Sequence, residues 1–478
     1  MDLSRREFAG MALAVLAMPT DVSVAPSVSV WREELRAIVN RIVETHPDPF
    51  TRIARRVFFA EVARIERDIP KLSDNQRAAR VMALVAMLQD GHTQIDLVGS
   101  RYQQWFPVRF YEFTDGYFIT AVRREYADLA GLKILTIGGV PAAEAVARAR
   151  TLMSAENEFG AKAGMHALSS APMMEALELD DQGRLRLRVA EANGAERDVT
   201  VAQMAGDDPE SPGFEWRFRP EEAGLFIGQR SDWVAGFNHL PSSAFRTVDN
   251  SRPPHLRYRS WYYAGLLDPK NYFIQVNFVA NNPEEGFVDF FRRALREVDQ
   301  ARPQRLIVDF RYNSGGDGTM ITAMIHEFIK REDNPPWREL YVLSGRKTFS
   351  AAIIALRAFV DHTHASFVGE PAGAPYNFFG DAMYFPFPRV GLAMDVSILR
   401  HDMARSNDVT RVLRLSGASP SAQDPTHTIQ IDVPASFSSV DYFAGRDPAV
   451  DAIRAGAEMR GLAIIARTEG AAAARRAY

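Results

Sequence analysis

Between residues 272 and 368, short apolar runs alternate with helical patterns, and this alternation constrains the fold more than any other feature of the chain. Residues 272–279 alternate like a strand, and Phe287, Phe290, Phe291, Ala294, Leu295 and Val298 then make the apolar face of a helix. A buried-type strand at 306–310, a helix at 322–330, a strand at 339–343, a helix after Ser350 and a strand at Phe367-Val368 continue the series. Strands separated by helices predict an α/β core with mostly parallel strands.

One serine stands where such a strand gives way to a helix, in Arg346-Lys347-Thr348-Phe349-Ser350-Ala351-Ala352. A hydroxyl there meets the positive end of the helix dipole and unpaired N–H groups, which favour the negative charge of acyl transfer. The competing reading is that Ser350 only caps the helix. The strand at 306–310 runs into Arg311-Tyr312-Asn313-Ser314-Gly315-Gly316-Asp317-Gly318, whose glycines let backbone N–H groups come close to a ligand. Nearer the N-terminus, Leu88-Gln89-Asp90-Gly91-His92-Thr93 closes an amphipathic helix on a histidine.

Taken in order, the Asp-Gly-His helix end, the Asn-x-Gly-Gly turn and the Thr-Phe-Ser-Ala helix start resemble a known superfamily. It comprises the tail-specific (C-terminal-processing) proteases, tricorn-type core proteases and interphotoreceptor retinoid-binding proteins. The likeness extends to Val368-Gly369-Glu370-Pro371, Asn377-Phe378-Phe379-Gly380-Asp381 and Asp441-Tyr442-Phe443-Ala444-Gly445-Arg446-Asp447-Pro448, so it covers most of residues 30–460. It implies an N-terminal helical domain (30–100), a degenerate PDZ-like β module with a helical insertion (105–205) and a crotonase-like β-α spiral catalytic core (214–460). A C-terminal tail occupies 461–478, of low complexity from Ala471 to Arg476.

The local patterns fit this division. Trp31, Leu35, Ile38, Val39, Ile42 and Val43 recur at helical spacing, Val57, Phe58, Val62, Ile65 and Ile69 form a second stripe, and Ser73-x-x-Gln76 is a capping box for a third helix. Strand patterns follow at 110–113, 117–120 and 132–140, whereas 214–270 is aromatic and irregular. Residues 1–25 are set aside as an export signal: Ser4-Arg5-Arg6-Glu7-Phe8 carries a twin-arginine pair, followed by an apolar run too short to span a bilayer. Export through that route to the periplasm or beyond is the expectation. The absence of cysteine removes a thiol nucleophile and thiolate-held metals. A net charge of −4 gives no reason to expect nucleic acid or an anionic membrane as partner.

In the chemistry that follows, Ser350 Oγ attacks a carbonyl and needs a base. The processing proteases use a lysine downstream of the serine; none lies between Ser350 and Tyr478. The tricorn-type arrangement supplies a histidine from the helical domain, which matches His92, an imidazole suited to base work near pH 7. The same resemblance places the orienting acid at Asp424, with Glu370 as the alternative. Backbone N–H groups of Gly315 or Gly316 and of Ala351 would form the oxyanion hole. No cofactor or metal is called for: Asp361-His362-Thr363-His364 has no third ligand in evidence, and phosphate-loop, His-Glu-x-x-His and Gly-x-Ser-x-Gly motifs are absent. The reading is a serine peptidase acting on a peptide or protein. The rivals are a binding protein for apolar ligands or peptides on the same fold, and a hydrolase of other esters or amides.

Overall fold

The structure, a computed structural model, describes residues 25–163, 165–204, 233–235, 261–282, 284–403 and 428–455. The export signal, the 461–478 tail and Asp424 lie outside these residues.

Three helices open the chain: α1 (Val28–Thr45), α2 (Arg55–Asp68) and α3 (Asp74–Ala86). Ser73 and Gln76 form the reciprocal capping box at the start of α3, satisfying two helix-end donors. The apolar stripes turn inward as expected except at Val43 and Val57, which are exposed at the stripe margins. Chain reversal at Asp90-Gly91-His92 leads into β1 (Gln94–Leu97).

Next come β2 (Val108–Phe113), β3 (Gly116–Arg123), β4 (Lys133–Ile137), β5 (Val140–Pro141) and the helix α4 (Ala142–Arg150). Short helices α5 (Glu158–Ala163) and α6 (Ala171–Ala176) precede β6 (Arg184–Ala190), β7 (Glu196–Ala202) and β8 (Trp233–Ala235). These strands make one antiparallel sheet in the order β2-β3-β4-β6-β7, packed over its own apolar cluster with α4.

The parallel core follows as β9 (Tyr262–Asp268), β10 (Asn271–Val276), α7 (Phe287–Ala301), β11 (Arg305–Asp309), α8 (Ile321–Ile329), β12 (Glu339–Ser344), α9 (Ala351–His362) and β13 (Ser366–Gly369). Together with β18 (Val433–Pro434) they form a six-stranded sheet ordered β18-β13-β12-β11-β10-β9, parallel throughout except where β9 pairs antiparallel with β10. The edge strand β9 falls in the stretch that reads as irregular from sequence. Two small sheets complete the fold: β14 (Asn377–Gly380) pairs with β17 (Leu399–Asp402), and β15 (Met383–Phe387) with β16 (Leu392–Val396). β16 also pairs with β1, so a C-terminal hairpin closes over the cluster formed by the N-terminal helices.

A buried ion triad fixes the end of β11. Arg311 holds Asp309 at 2.8 Å and Asp447 at 2.7 Å, and all three side chains are almost fully buried. The strand exit that carries the Gly-Gly turn is thereby tied to the Asp-Pro helix start near the C-terminus.

Candidate active site

Asn313 builds the turn. Its Nδ2 donates to the Val276 carbonyl at 3.0 Å, its Oδ1 accepts from Gly315 N–H at 2.8 Å, and its own carbonyl accepts from Phe349 N–H at 3.0 Å. One residue, through its side chain and its carbonyl, thus joins the ends of β10 and β11 to the segment before α9. Gly315 and Gly316 both have positive φ, +116° and +133°. At Gly315 an added Cβ would stand 2.5 Å from Ser350 Cβ and 3.0 Å from its Oγ, so only glycine leaves the serine its place.

Ser350 sits at the N-terminus of α9 with φ 53° and ψ −128°, and its side chain makes no capping bond. A non-glycine residue in this region costs on the order of 1–3 kcal/mol, which a cap serine has no reason to bear. The Ala351 and Gly316 N–H groups make no hydrogen bond within the described residues, whereas Gly315 N–H is already used by Asn313. Of the donors expected from sequence, Gly316 and Ala351 are therefore available to an oxyanion, and Gly315 is not.

His92 reaches this region from the other side. Its ring stacks on Phe349, the residue before Ser350, at 4.3 Å between centroids, and on Phe378 of β14 at 5.5 Å. His92, Gly91, Glu156, Phe349 and Ser350 line one cavity of about 400 Å³. Its remaining wall is apolar at Met82, Leu97, Trp105, Leu152, Met153 and Met173 and charged at Asp96, Arg346, Lys347 and Asp395.

Burial pushes the His92 imidazole down to about 4, with the Asp90 charge acting in the opposite direction. The ring is therefore a neutral base across the physiological range, and the titration near pH 7 expected from sequence is displaced downward. Burial works to raise Asp90 too, but hydrogen bonds from His46, Thr93 and Ser397 and the nearby His92 keep its carboxyl below the usual value. His46 lies at 3.0 Å, Thr93 Oγ1 at 2.5 Å and Ser397 Oγ at 2.7 Å. Asp90 is thus a fixed negative charge behind the histidine.

Glu370, the alternative acid, gives both oxygens to Arg346 at 2.7 and 2.9 Å. Arg346 also donates to the Glu112 carbonyl and lies over the Tyr111 ring, so this pair braces the Ser350 loop against the antiparallel sheet. His364 of the His-x-His pair faces Glu332 at 3.5 Å. Sequence reasoning missed Asp90 and Glu156. Asp90 stood inside the quoted Asp-Gly-His motif, whereas Glu156 carries no local signal at all.

No protein-family model matches this sequence, and no curated protein matches it. Among solved structures, mature CPAF complexed with lactacystin is similar with a TM-score of 0.55 at 11% identity, covering 87% of this chain and 96% of that one. Mature CPAF has a TM-score of 0.56 at 10% identity, covering 87% and 94%. The photosystem II D1 C-terminal processing protease matches more loosely, with a TM-score of 0.33 at 13% identity over 83% and 93%. The chain thus shares its overall fold with mature CPAF.

Proposed function

We propose that this chain is a serine peptidase in which Ser350 is the nucleophile and His92 the base. The observation that carries the reading is Ser350 itself, held at positive φ without a capping bond beside two unpaired N–H groups and on one cavity wall with an imidazole. His92 takes the Ser350 Oγ proton as Oγ bonds to the substrate carbonyl carbon. The resulting oxyanion accepts from Gly316 and Ala351 N–H, where each such donor is worth on the order of 3 kcal/mol. The imidazolium then protonates the leaving amine, and a water repeats the sequence to free the enzyme. The apolar part of the cavity, at Leu97, Trp105, Leu152 and Met153, suits an apolar side chain of the substrate next to the scissile bond.

Within this proposal the antiparallel sheet is a PDZ-like module, the parallel core has the crotonase-like form, and the chain is exported by its twin-arginine segment. Replacing both Arg5 and Arg6 by Lys should hold the protein in the cytoplasm. The activity itself is tested with a fluorophosphonate and peptide mapping. The label should fall on Ser350 and vanish in a folded Ser350→Ala variant that no longer cleaves peptides. An unlabelled parent that binds apolar ligands would favour the non-catalytic alternative.

A further inference from the structure

Among the described residues His92 Nδ1 is buried without a partner in hydrogen-bond geometry, and so are both carboxyl oxygens of Glu156, a side chain only 6% exposed, although the Phe379 backbone acts on the first and the Gly91 backbone on the second. Leaving such groups unpaired costs on the order of 1–3 kcal/mol each, so their coincidence in one place requires an explanation. One side-chain nitrogen or oxygen from each of Asp90, His92 and Glu156 lies within 4.8 Å of the others. Asp90 makes no hydrogen bond to the ring nitrogen: its Oδ2 accepts from His46, Thr93 and Ser397, and its Oδ1 from the His92 backbone N–H.

The loop bearing Glu156 is anchored for a precise task. Arg52 donates to the Glu156 carbonyl at 2.8 Å, and Asn157 Nδ2 donates to the Ala372 carbonyl at 3.0 Å. A side chain at Gly160 would meet the Gly373 carbonyl oxygen at 2.4 Å, so the loop lies hard against the segment that follows β13. Gly91 is likewise a gap by necessity, because a Cβ there would stand 2.8 Å from Glu156 Oε2 and 2.8 Å from the Phe349 ring. The absence of a side chain in Asp-Gly-His lets Glu156 and Phe349 approach the histidine together.

Resting on the Ser350–His92 reading, we propose that Glu156 is the positioning residue for the base: its carboxylate accepts from His92 Nδ1–H and leaves Nε2 free to take the serine proton. As His92 gains the proton from Ser350, the carboxylate stabilises the imidazolium without taking the proton itself.

The groups facing this pair set its pH dependence. Glu156 faces Asp90, Arg52 and the Gly91 backbone, and His92 faces Asp90, His401, Asp381 and the Phe379 backbone. Burial, reinforced by the Asp90 charge, raises the Glu156 carboxyl to about 8, whereas His92 stays neutral above about 4. The orienting anion therefore forms only as pH rises through about 8, and acylation rises with it.

The test is the second-order rate of fluorophosphonate labelling at Ser350 between pH 5 and 10, with thermal unfolding as a check on folding. The parent should show a limb near pH 8. Glu156→Gln should lose that limb and, at pH 9, react roughly tenfold to a hundredfold more slowly, while Glu156→Asp should restore a limb. A Glu156→Gln profile equal to the parent's would overturn the inference, as would loss of the limb in Asp424→Asn in its place. If Glu156→Gln does not fold, the Glu156→Asp profile decides: an unmoved limb counts against Glu156. A parent that fails to label at Ser350 refutes the peptidase reading, a result distinct from any of these.

Discussion

Substituting Gly315 by alanine should abolish most of the proposed activity while leaving the protein folded. The new Cβ would stand 2.5 Å from Ser350 Cβ, against about 3.5 Å for the closest comfortable carbon contact, so the serine or the turn must give by about 1 Å. A misplacement of that size costs on the order of 10²-fold in rate, about 2.7 kcal/mol of transition-state stabilisation. Positive φ adds backbone strain on the order of 1–3 kcal/mol, which lowers stability irrespective of the contact. Gly139 separates the two effects, because its φ is +84° but an added Cβ there meets nothing within 4 Å. Gly139→Ala should therefore lower the unfolding temperature through strain alone and Gly315→Ala by more, and only Gly315→Ala should label slowly with a fluorophosphonate. Equal labelling of Gly315→Ala and the parent would show that Ser350 is not held where the structure puts it, and the oxyanion geometry would go with it.

Relief of backbone strain predicts that Ser350→Gly is inactive yet more stable than Ser350→Ala, by roughly 1 kcal/mol in thermal unfolding. Asn313→Ala removes the partners of the Val276 carbonyl and Gly315 N–H; about 1–3 kcal/mol should be lost for each orphaned group in urea unfolding, together with most of the labelling rate. Asp447→Ala strips one of two carboxylates from the buried Arg311 and should cost about 3–5 kcal/mol, and a loss under 1 kcal/mol in urea would count against the triad as an anchor. Burial lowers His362 to about 4, from the ordinary 6.5 expected on unfolding. The unfolded chain thus binds this proton first. Stability contributed by the neutral ring is intact above pH 6.5 and is lost as pH falls toward 4, so His362→Leu should flatten the acid side of a stability–pH curve.

The sequence showed most clearly what local periodicity and turn chemistry control. Alternating strands and helices gave the parallel core, because each β-α step buries its own apolar face, and Ser73-x-x-Gln76 marked a helix start that depends on four adjacent residues. β9 escaped notice because an edge strand paired on one side needs little pattern, and its Leu266 remains exposed. The β1-β16-β15 sheet escaped because pairing of Ile95 with Met394 is settled by packing between segments almost 300 positions apart (394 − 95 = 299). The strand-to-helix position marked Ser350, and the resemblance supplied His92 and, outside the described residues, Asp424.

The site lies where separately built pieces meet, and this explains why its chemistry was only half legible. Each reactive side chain belongs to a local motif, but its partners arrive from another part of the chain: Phe349 and Phe378 to His92, Gly315 to Ser350, and the Glu156 loop to Asp-Gly-His. The trace such meetings leave in sequence is a missing side chain. Gly91 and Gly315 each leave empty the spot that a group from another segment fills, Glu156 and Phe349 in one case and Ser350 in the other. Glycine was read from sequence as freedom of the backbone, which holds for Gly315 at φ +116°. Gly91 has no positive φ, and there the residue is required solely by the space its neighbours occupy. Gly91→Ala should therefore displace Phe349 and Glu156 from the histidine without straining the turn, a loss of function through packing that turn chemistry alone would not foresee.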